Sequence, residues 1–473
     1  RGSEMCIRDR NMMVKKNEMD MTSGNLFKKL FIFSMPLVLS GILQLLYNAA
    51  DLIVCGQFGS EHSVAAISST NSLINLIIQL FLGLSVGANV LMARCFGEGN
   101  KEKGQRVVYT SMIFSVIFGL IIGIFGVFSS RYFLELMGTP DDVIDLSAKY
   151  LMIYFIGLPF SMIYNFGASL LRAIGDTKRP FYFLMTAGIF NVLLNLLFVI
   201  VFKLDVPGVA IATIISQGIS AGLVVLCLLR NKGFFRFRFR ELRIYKREAL
   251  EIIRIGLPAG LQGVIFSLSN VLIQSSINSL GTNVMDGNGA ASSLEGFIYT
   301  AMNAIAQGCV AFVSANFGAG KKKNIQKSVM YSAILVILMN FVVGGIVLLL
   351  ENQLLGLYVH TEEALEAGRQ RLFIIAVTYF LCGLMDTFAY ALRGIGYSLL
   401  PTIISLCGAC GLRILWIYFV FPLEEFHNIS GLAVSYPISW IITAMVHFIF
   451  FLILFSRIKL TPRAENNADT AGE

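Results

Sequence analysis

Asp51, Asn191, Asn195 and Thr213 are polar residues set in stretches that are otherwise almost wholly apolar. Asn191 and Asn195 are one helical turn apart and share a face. One carboxylate, two amide oxygens and a hydroxyl form an oxygen set that suits a hard cation such as Na⁺. Burial would instead let Asp51 cycle a proton. A blander reading is that the two asparagines only bond across helices. Asp386, Glu295 and Arg413 are the other ionisable residues inside apolar runs. They mark a possible second polar site, with Glu295 as a partner for Arg413. Ionisable groups at such depth are costly unless they face a cavity or a partner.

Other chemistry is not signalled. There is no HExxH, no GxSxG and no convergent His–carboxylate set, so no catalytic residues and no enzyme are expected. The histidines (His62, His360, His427, His447) show no ligand spacing. Cys407 and Cys410 form a CxxC, but inside an apolar run and without a second ligand pair. No cofactor and no metal are expected beyond transient Na⁺ at Asp51; the coupling ion is H⁺ or Na⁺.

The elements that position these residues are membrane spans. The 473-residue chain is 56% hydrophobic and 14% charged, against roughly 25% charge in a soluble chain. Its apolar runs match the ~20 residues needed to cross a bilayer. They predict spans at 30–54, 64–93, 107–129, 149–171, 181–202, 207–229, 251–277, 291–315, 327–350, 371–392, 399–421 and 429–456. Alternate loops hold 21 Lys and Arg against 5 in the remainder. By the positive-inside rule the first set is cytoplasmic, and so are both termini, with Lys15, Lys16, Lys28, Lys29, Arg457, Lys459 and Arg463. The net charge of +8 therefore reports topology, and no nucleic-acid partner is expected. Arg413 is the only basic residue that this scheme leaves well inside a span.

The chain repeats itself. Gly87–Ser111 reads GANVLMARCFGEGNKEKGQRVVYTS, and Gly308–Ser332 reads GCVAFVSANFGAGKKKNIQKSVMYS. Leu171-Arg172-x-Ile174-Gly175 recurs as Leu392-Arg393-x-Ile395-Gly396, and Pro36, Gly41 and Asn48 recur as Pro258, Gly263 and Asn270. Six spans per unit give both halves the same orientation, so the repeats are parallel, related by an axis along the membrane normal. The expected organisation is a disordered tail (1–20), an N-lobe of spans 1–6 (21–229), a cytoplasmic linker (230–250), a C-lobe of spans 7–12 (251–456) and a cytoplasmic tail (457–473). The Phe–Arg alternation of the linker reads as an interfacial segment with Phe in the headgroups. Gly119/Gly123, Gly218/Gly222 and Gly256/Gly260 are GxxxG pairs suited to close helix packing. Pro36, Pro159, Pro258 and Pro437 lie within spans and can kink them. Two equivalent bundles enclose a cleft that rocking exposes to alternate sides, which is the architecture of a transporter.

With the first span LFIFSMPLVLSGILQLLYNAADLIVCGQFG, the FGEGN loop and LRAIGDTKRP, residues 21–456 resemble the multidrug and toxic compound extrusion (MATE) family of cation-coupled antiporters. The resemblance implies an all-α fold of twelve transmembrane helices in two V-shaped lobes, and export of amphipathic, often cationic drugs or metabolites in exchange for H⁺ or Na⁺. A monomer in the cell membrane is expected. It assigns a first-lobe cation site to Asp51, Asn191, Asn195 and Thr213; some members carry Asp where this chain has Asn195. Acids found in spans 7 and 10 of other members are replaced by Phe266 and Cys382, with Asp386 one turn further on. The alternative is a lipid-linked precursor flippase of the same broad architecture, for which a more cationic cleft is expected.

Overall fold

The computed structural model of the protein describes residues 18–60, 63–231, 233–458 and 460. Cys6, Lys15, Lys16, His62, Lys232, Lys459, Arg463 and the outer parts of both tails lie outside the described residues. Among the described residues, twelve helices are long and apolar enough to cross a membrane. In the first half they are α1 (Leu26–Phe58), α2 (Ser63–Glu98), α3 (Lys101–Leu136), α4 (Asp141–Ala173), α5 (Lys178–Val201) and α6 (Asp205–Arg230). In the second they are α7 (Lys246–Asn278), α8 (Thr282–Gly318), α9 (Lys322–Leu349), α10 (Glu362–Gly394), α11 (Leu399–Phe419) and α12 (Ile429–Arg457). Even α11, at 21 residues, spans ~30 Å at ~1.5 Å per residue.

The repeated motifs are helix stops. Gly99 and Gly320 of the FGxG motifs, and Gly175 and Gly396 of the LRxIG motifs, all have positive φ (63°, 69°, 89° and 109°). Glycine adopts this conformation without a Cβ penalty, which is how it ends a helix.

Packing repeats as the sequence does. Helix α3 packs on α4, α4 on α6 and α1 on α5; α9 packs on α10, α10 on α12 and α7 on α11. The halves also exchange contacts reciprocally, α1 with α8 and α9, α7 with α2 and α3. The first part of α1 is thus buried in the other half: Leu26, Leu30, Phe33 and Leu37 share a core with Leu294, Ile298 and Phe312. Phe33 and Phe312 meet edge to face at 5.4 Å. The far part of α1, after Pro36 and Gly41, returns to its own half, where Cys55 joins the first-half core.

At the end of the molecule where α1 begins and α12 finishes, here the termini end, the halves touch backbone to backbone. Gly97 of α2 lies against the Ala315 carbonyl, and Gly318 of α8 against that of Arg94. Arg94 Nη2 donates to the Gly394 carbonyl at 3.0 Å. Deeper in, Gly83 and Gly87 pack on Gly260 and Gly256 of α7.

Several sequence expectations need correction. The Gly218/Gly222 pair has open space where a Cβ would stand, so it mediates no close approach; Gly119/Gly123 (against Pro159 and Phe155) and Gly256/Gly260 do. Phe234, Phe235 and Phe237 of the linker are 7%, 2% and 3% exposed, packed into the protein and not in the headgroups, whereas Phe239 stays exposed. The linker runs extended beside α3, where Gln105 accepts from the Arg236 amide and Phe234 packs on Phe96. The two-residue period of an extended chain turns Phe237 inward and Arg236 and Arg238 outward. Residues 18–20, read as part of the tail, belong to a strap beneath both halves. Glu18 accepts from the Phe234 amide, Met19 lies against Gly175, and the Met21 and Thr22 carbonyls accept from Asn316 and Asn324 of the second half.

Candidate functional site

The four first-half residues meet in one hydrogen-bond chain. Asn195 Nδ2 donates to Asp51 Oδ1 at 2.5 Å and contacts Asn191 Oδ1 at 3.3 Å. Asn191 Nδ2 in turn reaches Thr213 Oγ1 at 3.4 Å, and Thr213 donates to the Val209 carbonyl. Asp51, Asn191 and Asn195 are buried. All four lie toward the end of the membrane helices opposite the termini. A π-helical turn, Leu197–Val201, begins two residues after Asn195. Asp205, at the start of α6, accepts from the Ser60 amide (3.3 Å) and Ser63 hydroxyl (2.5 Å), tying the α1–α2 turn to α6. That clasp holds the far part of α1, and with it Asp51, against α5 and α6.

Asn195 Oδ1 is buried without a donor. An acceptor left bare costs about 1–3 kcal/mol, and it lies beside a carboxylate. This donor set fits a proton or a hard cation, for which Asp51, Asn195 and Asn191 supply the oxygens. Tyr150 of α4 and Cys55 of α1 are within electrostatic reach of Asp51. Nothing in their sequence spacing marks either residue.

Between the halves lies a partly open cavity. Both halves line it, through residues such as Gln79, Asn89 and Arg172 on one side and Gln262, Asp386 and Arg393 on the other. None of the four first-half site residues is among its lining. Arg172 and Arg393 correct the sequence reading, which counted them as loop residues and left Arg413 alone. Hydropathy ends the spans one residue before each arginine, but α4 and α10 continue to Ala173 and Gly394. The recurrence of the LRxIG motif was the available signal.

The second-half residues are not brought together. Asp386 lines the cavity. Glu295 is bound by Arg371, not Arg413, in a bidentate pair with both bonds at 2.8 Å. The sequence reading puts Arg371 at the very start of the tenth span; it is a buried residue well inside α10, which begins at Glu362. Arg413 donates to Ser439 at 2.9 Å, and its guanidinium lies 4.3 Å from the Tyr436 ring centre and 5.5 Å from that of Trp440. Arg371 lies 5.1 Å from the same Tyr436 ring. A stack of Tyr299, Tyr379 and Trp440, with centroid spacings of 6.2 and 5.0 Å, links the cavity to Arg413.

Known proteins agree with this architecture. The MatE family model matches residues 36–197 and 258–419, once in each half. A probable multidrug resistance protein, YoeA of Bacillus subtilis, is 27% identical over 92% of this chain and 96% of its own. A FAD transporter of Shewanella oneidensis is 22% identical over 83% of this chain and 87% of its own. A solved outward-facing multidrug resistance MATE transporter superposes with a TM-score of 0.86 at 21% identity, covering 92% of this chain and 96% of that one. With two matched repeats and a twelve-helix fold of this kind, the chain belongs to the MATE family of multidrug efflux transporters.

Proposed function

We propose that this chain is a secondary active antiporter that exports amphipathic, often cationic, organic compounds through the central cavity in exchange for H⁺ or Na⁺ taken up at Asp51. The supporting observation is the buried Asp51–Asn195–Asn191–Thr213 chain with its bare Asn195 oxygen, set apart from the cavity lining. Because the two sets of residues do not overlap, cation and substrate act on each other through the conformational equilibrium. The cation must then bind one state more tightly than the other, since equal binding shifts nothing. Each charge moved inward releases about 2.3 kcal/mol per 100 mV, enough for a roughly 50-fold gradient of an uncharged substrate.

The Lys and Arg asymmetry supports a cell-membrane protein with both termini cytoplasmic. The sealed termini end then corresponds to an outward-facing state, and residues of one chain line the cavity from both halves, in keeping with a monomer. In an otherwise cysteine-free background, Asp286→Cys is expected to react with an external impermeant maleimide and Lys322→Cys to be protected. The reverse pattern would sink the orientation. For coupling, Asp51→Asn keeps size but removes the titrating charge. It is expected to insert and fold normally yet lose gradient-driven efflux in reconstituted vesicles; wild-type efflux would refute the assignment and turn attention to Asp386.

A second reading, a lipid-linked precursor flippase, is favoured by one observation: two arginines line the cavity. The relative named as a FAD transporter also points to a phosphate-bearing cargo within this architecture.

A further inference from the structure

We propose that the central cavity is built to hold the anionic head of an amphipathic compound — a carboxylate, sulfonate or phosphate — between Arg172 and Arg393. This deepens the transport reading and rests on it. Both arginines occupy the last turns of their helices, at equivalent positions of the repeat, and line the same cavity. Arg393 is 4% exposed. It spends one donor on Gln262 Oε1 at 2.7 Å and keeps Nε without a partner. Arg172 Nε has no partner either. Among the described residues neither guanidinium is in direct contact with a carboxylate, Asp386 lying only within electrostatic reach of Arg393, whereas buried Arg371 has both oxygens of Glu295.

A guanidinium offers five donors and accepts nothing, and a buried charge without a counter-charge is costly. The repeat shows where compensation is missing. Asp386 lines the cavity in the second half, and the equivalent first-half position, also on the cavity wall, is Asn165. The cavity therefore carries two cations and one carboxylate. The rest of its polar wall is largely neutral amides such as Asn89, Asn303 and Gln307, which orient polar groups without repelling an anion. The arginines lie toward the termini end of the cavity, and Leu37, Val86 and Phe266 supply apolar surface for the body of the compound.

The test is equilibrium binding to the purified full-length protein in detergent, without any ion gradient. The probes are two xanthene dyes of opposite charge, carboxyfluorescein and rhodamine 6G, read by fluorescence anisotropy. Wild type is expected to bind carboxyfluorescein. Arg393→Gln and Arg172→Gln are each expected to weaken that binding by about tenfold or more, the worth of a charge-assisted hydrogen bond, and to leave rhodamine 6G binding unchanged or tighter. Arg393→Lys should recover part of the loss. Unchanged rhodamine 6G binding also certifies that a variant is folded. If wild type takes only rhodamine 6G, or if the variants weaken both dyes equally, as expected were the arginines mere caps on the α4 and α10 dipoles, the proposal fails. Adding phosphatidylglycerol against phosphatidylcholine separates the sources. Selective displacement by phosphatidylglycerol supports the anion site with a lipid headgroup as its ligand; no displacement supports it with a free solute. Anion binding together with failed gradient-driven efflux would sink the coupling reading alone.

Discussion

Glu295 and Arg371 face each other through two parallel hydrogen bonds of 2.8 Å, with side chains only 7% and 5% exposed. A bidentate guanidinium–carboxylate pair is among the stronger polar contacts, yet forming it removes two charges from water, so its net stabilisation is small. Removing one partner is another matter. Glu295→Gln and Arg371→Met, singly, are expected to cost about 3–5 kcal/mol and to lower the melting temperature in detergent. The double variant should recover most of that loss. A double variant as unstable as the sum of the singles would mean the pair is not a unit.

Arg413 is held differently, by Ser439 and the faces of Tyr436 and Trp440. Desolvated cation–π contacts are worth about 2 kcal/mol. Tyr436→Leu, which keeps apolar bulk but removes the ring from both Arg413 and Arg371, is expected to destabilise by about that amount or more. A melting temperature within error of wild type would show that the ring contributes only packing.

Long apolar runs and charged loops made the twelve helices legible in the sequence, and the constant offset between motifs made the two halves legible. The first-half polar residues stood out because so little else in their helices is polar. Helix ends were read less well, since hydropathy stops at the first charge. Arg172 and Arg393 fall just outside the predicted spans and Arg371 at the first residue of one, although α4 and α10 extend past the first two and α10 begins nine residues before the third. Neighbours across the fold were not legible at all. Gly218/Gly222 and Gly256/Gly260 look alike as sequence, and only the helix packed on the second pair distinguishes them.

The termini-end seal makes a prediction about conformation. A side chain at Gly97 would strike the Ala315 carbonyl, which is backbone and yields little. Gly97→Val is therefore expected to hold the termini end open. A reporter cysteine in the cavity, Val86→Cys, should then be labelled faster from that face by an impermeant maleimide in vesicles of defined orientation. Unchanged labelling would mean the contact is not the gate.

The strap beneath both halves has a titratable anchor. Burial pushes the Asp20 carboxyl up, but hydrogen bonds from Ser23 and Thr22, aided by Lys29, outweigh it and leave the group below its ordinary range. A depressed folded value stabilises above the unfolded pKa of about 3.9, and that stabilisation is lost as pH falls through the lower folded value. At neutral pH the anchor is fully engaged. Asp20→Asn is expected to speed amide exchange over residues 18–24 at pH 7, while wild type shows comparable exposure only below about pH 4. Equal protection in both proteins would assign the strap's order to its other contacts.

Asn195 offers the sharpest probe of the cation site. Its Nδ2 binds Asp51 while its Oδ1 has no donor, so one end of the amide stabilises the carboxylate and the other is left unsatisfied. Asn195→Asp is nearly isosteric, removes the donor to Asp51 and places a second carboxylate beside the first. Like charges so close disfavour ionising both acids together unless a cation lies between them. Na⁺ affinity, measured by calorimetry on purified protein, is expected to rise, because ligand charge tunes affinity for hard cations. Transport should then respond more strongly to an imposed Na⁺ gradient than in wild type. In Asp51→Asn/Asn195→Asp, which restores the wild-type charge count with the acid moved from α1 to α5, a cation should still bind. Efflux would survive that exchange only if the carboxylate need not sit on α1, the helix that crosses from one half into the core of the other. Loss of efflux with retained cation binding would locate the coupling step in α1 itself. Unaltered Na⁺ affinity in Asn195→Asp would remove Asn195 from the site.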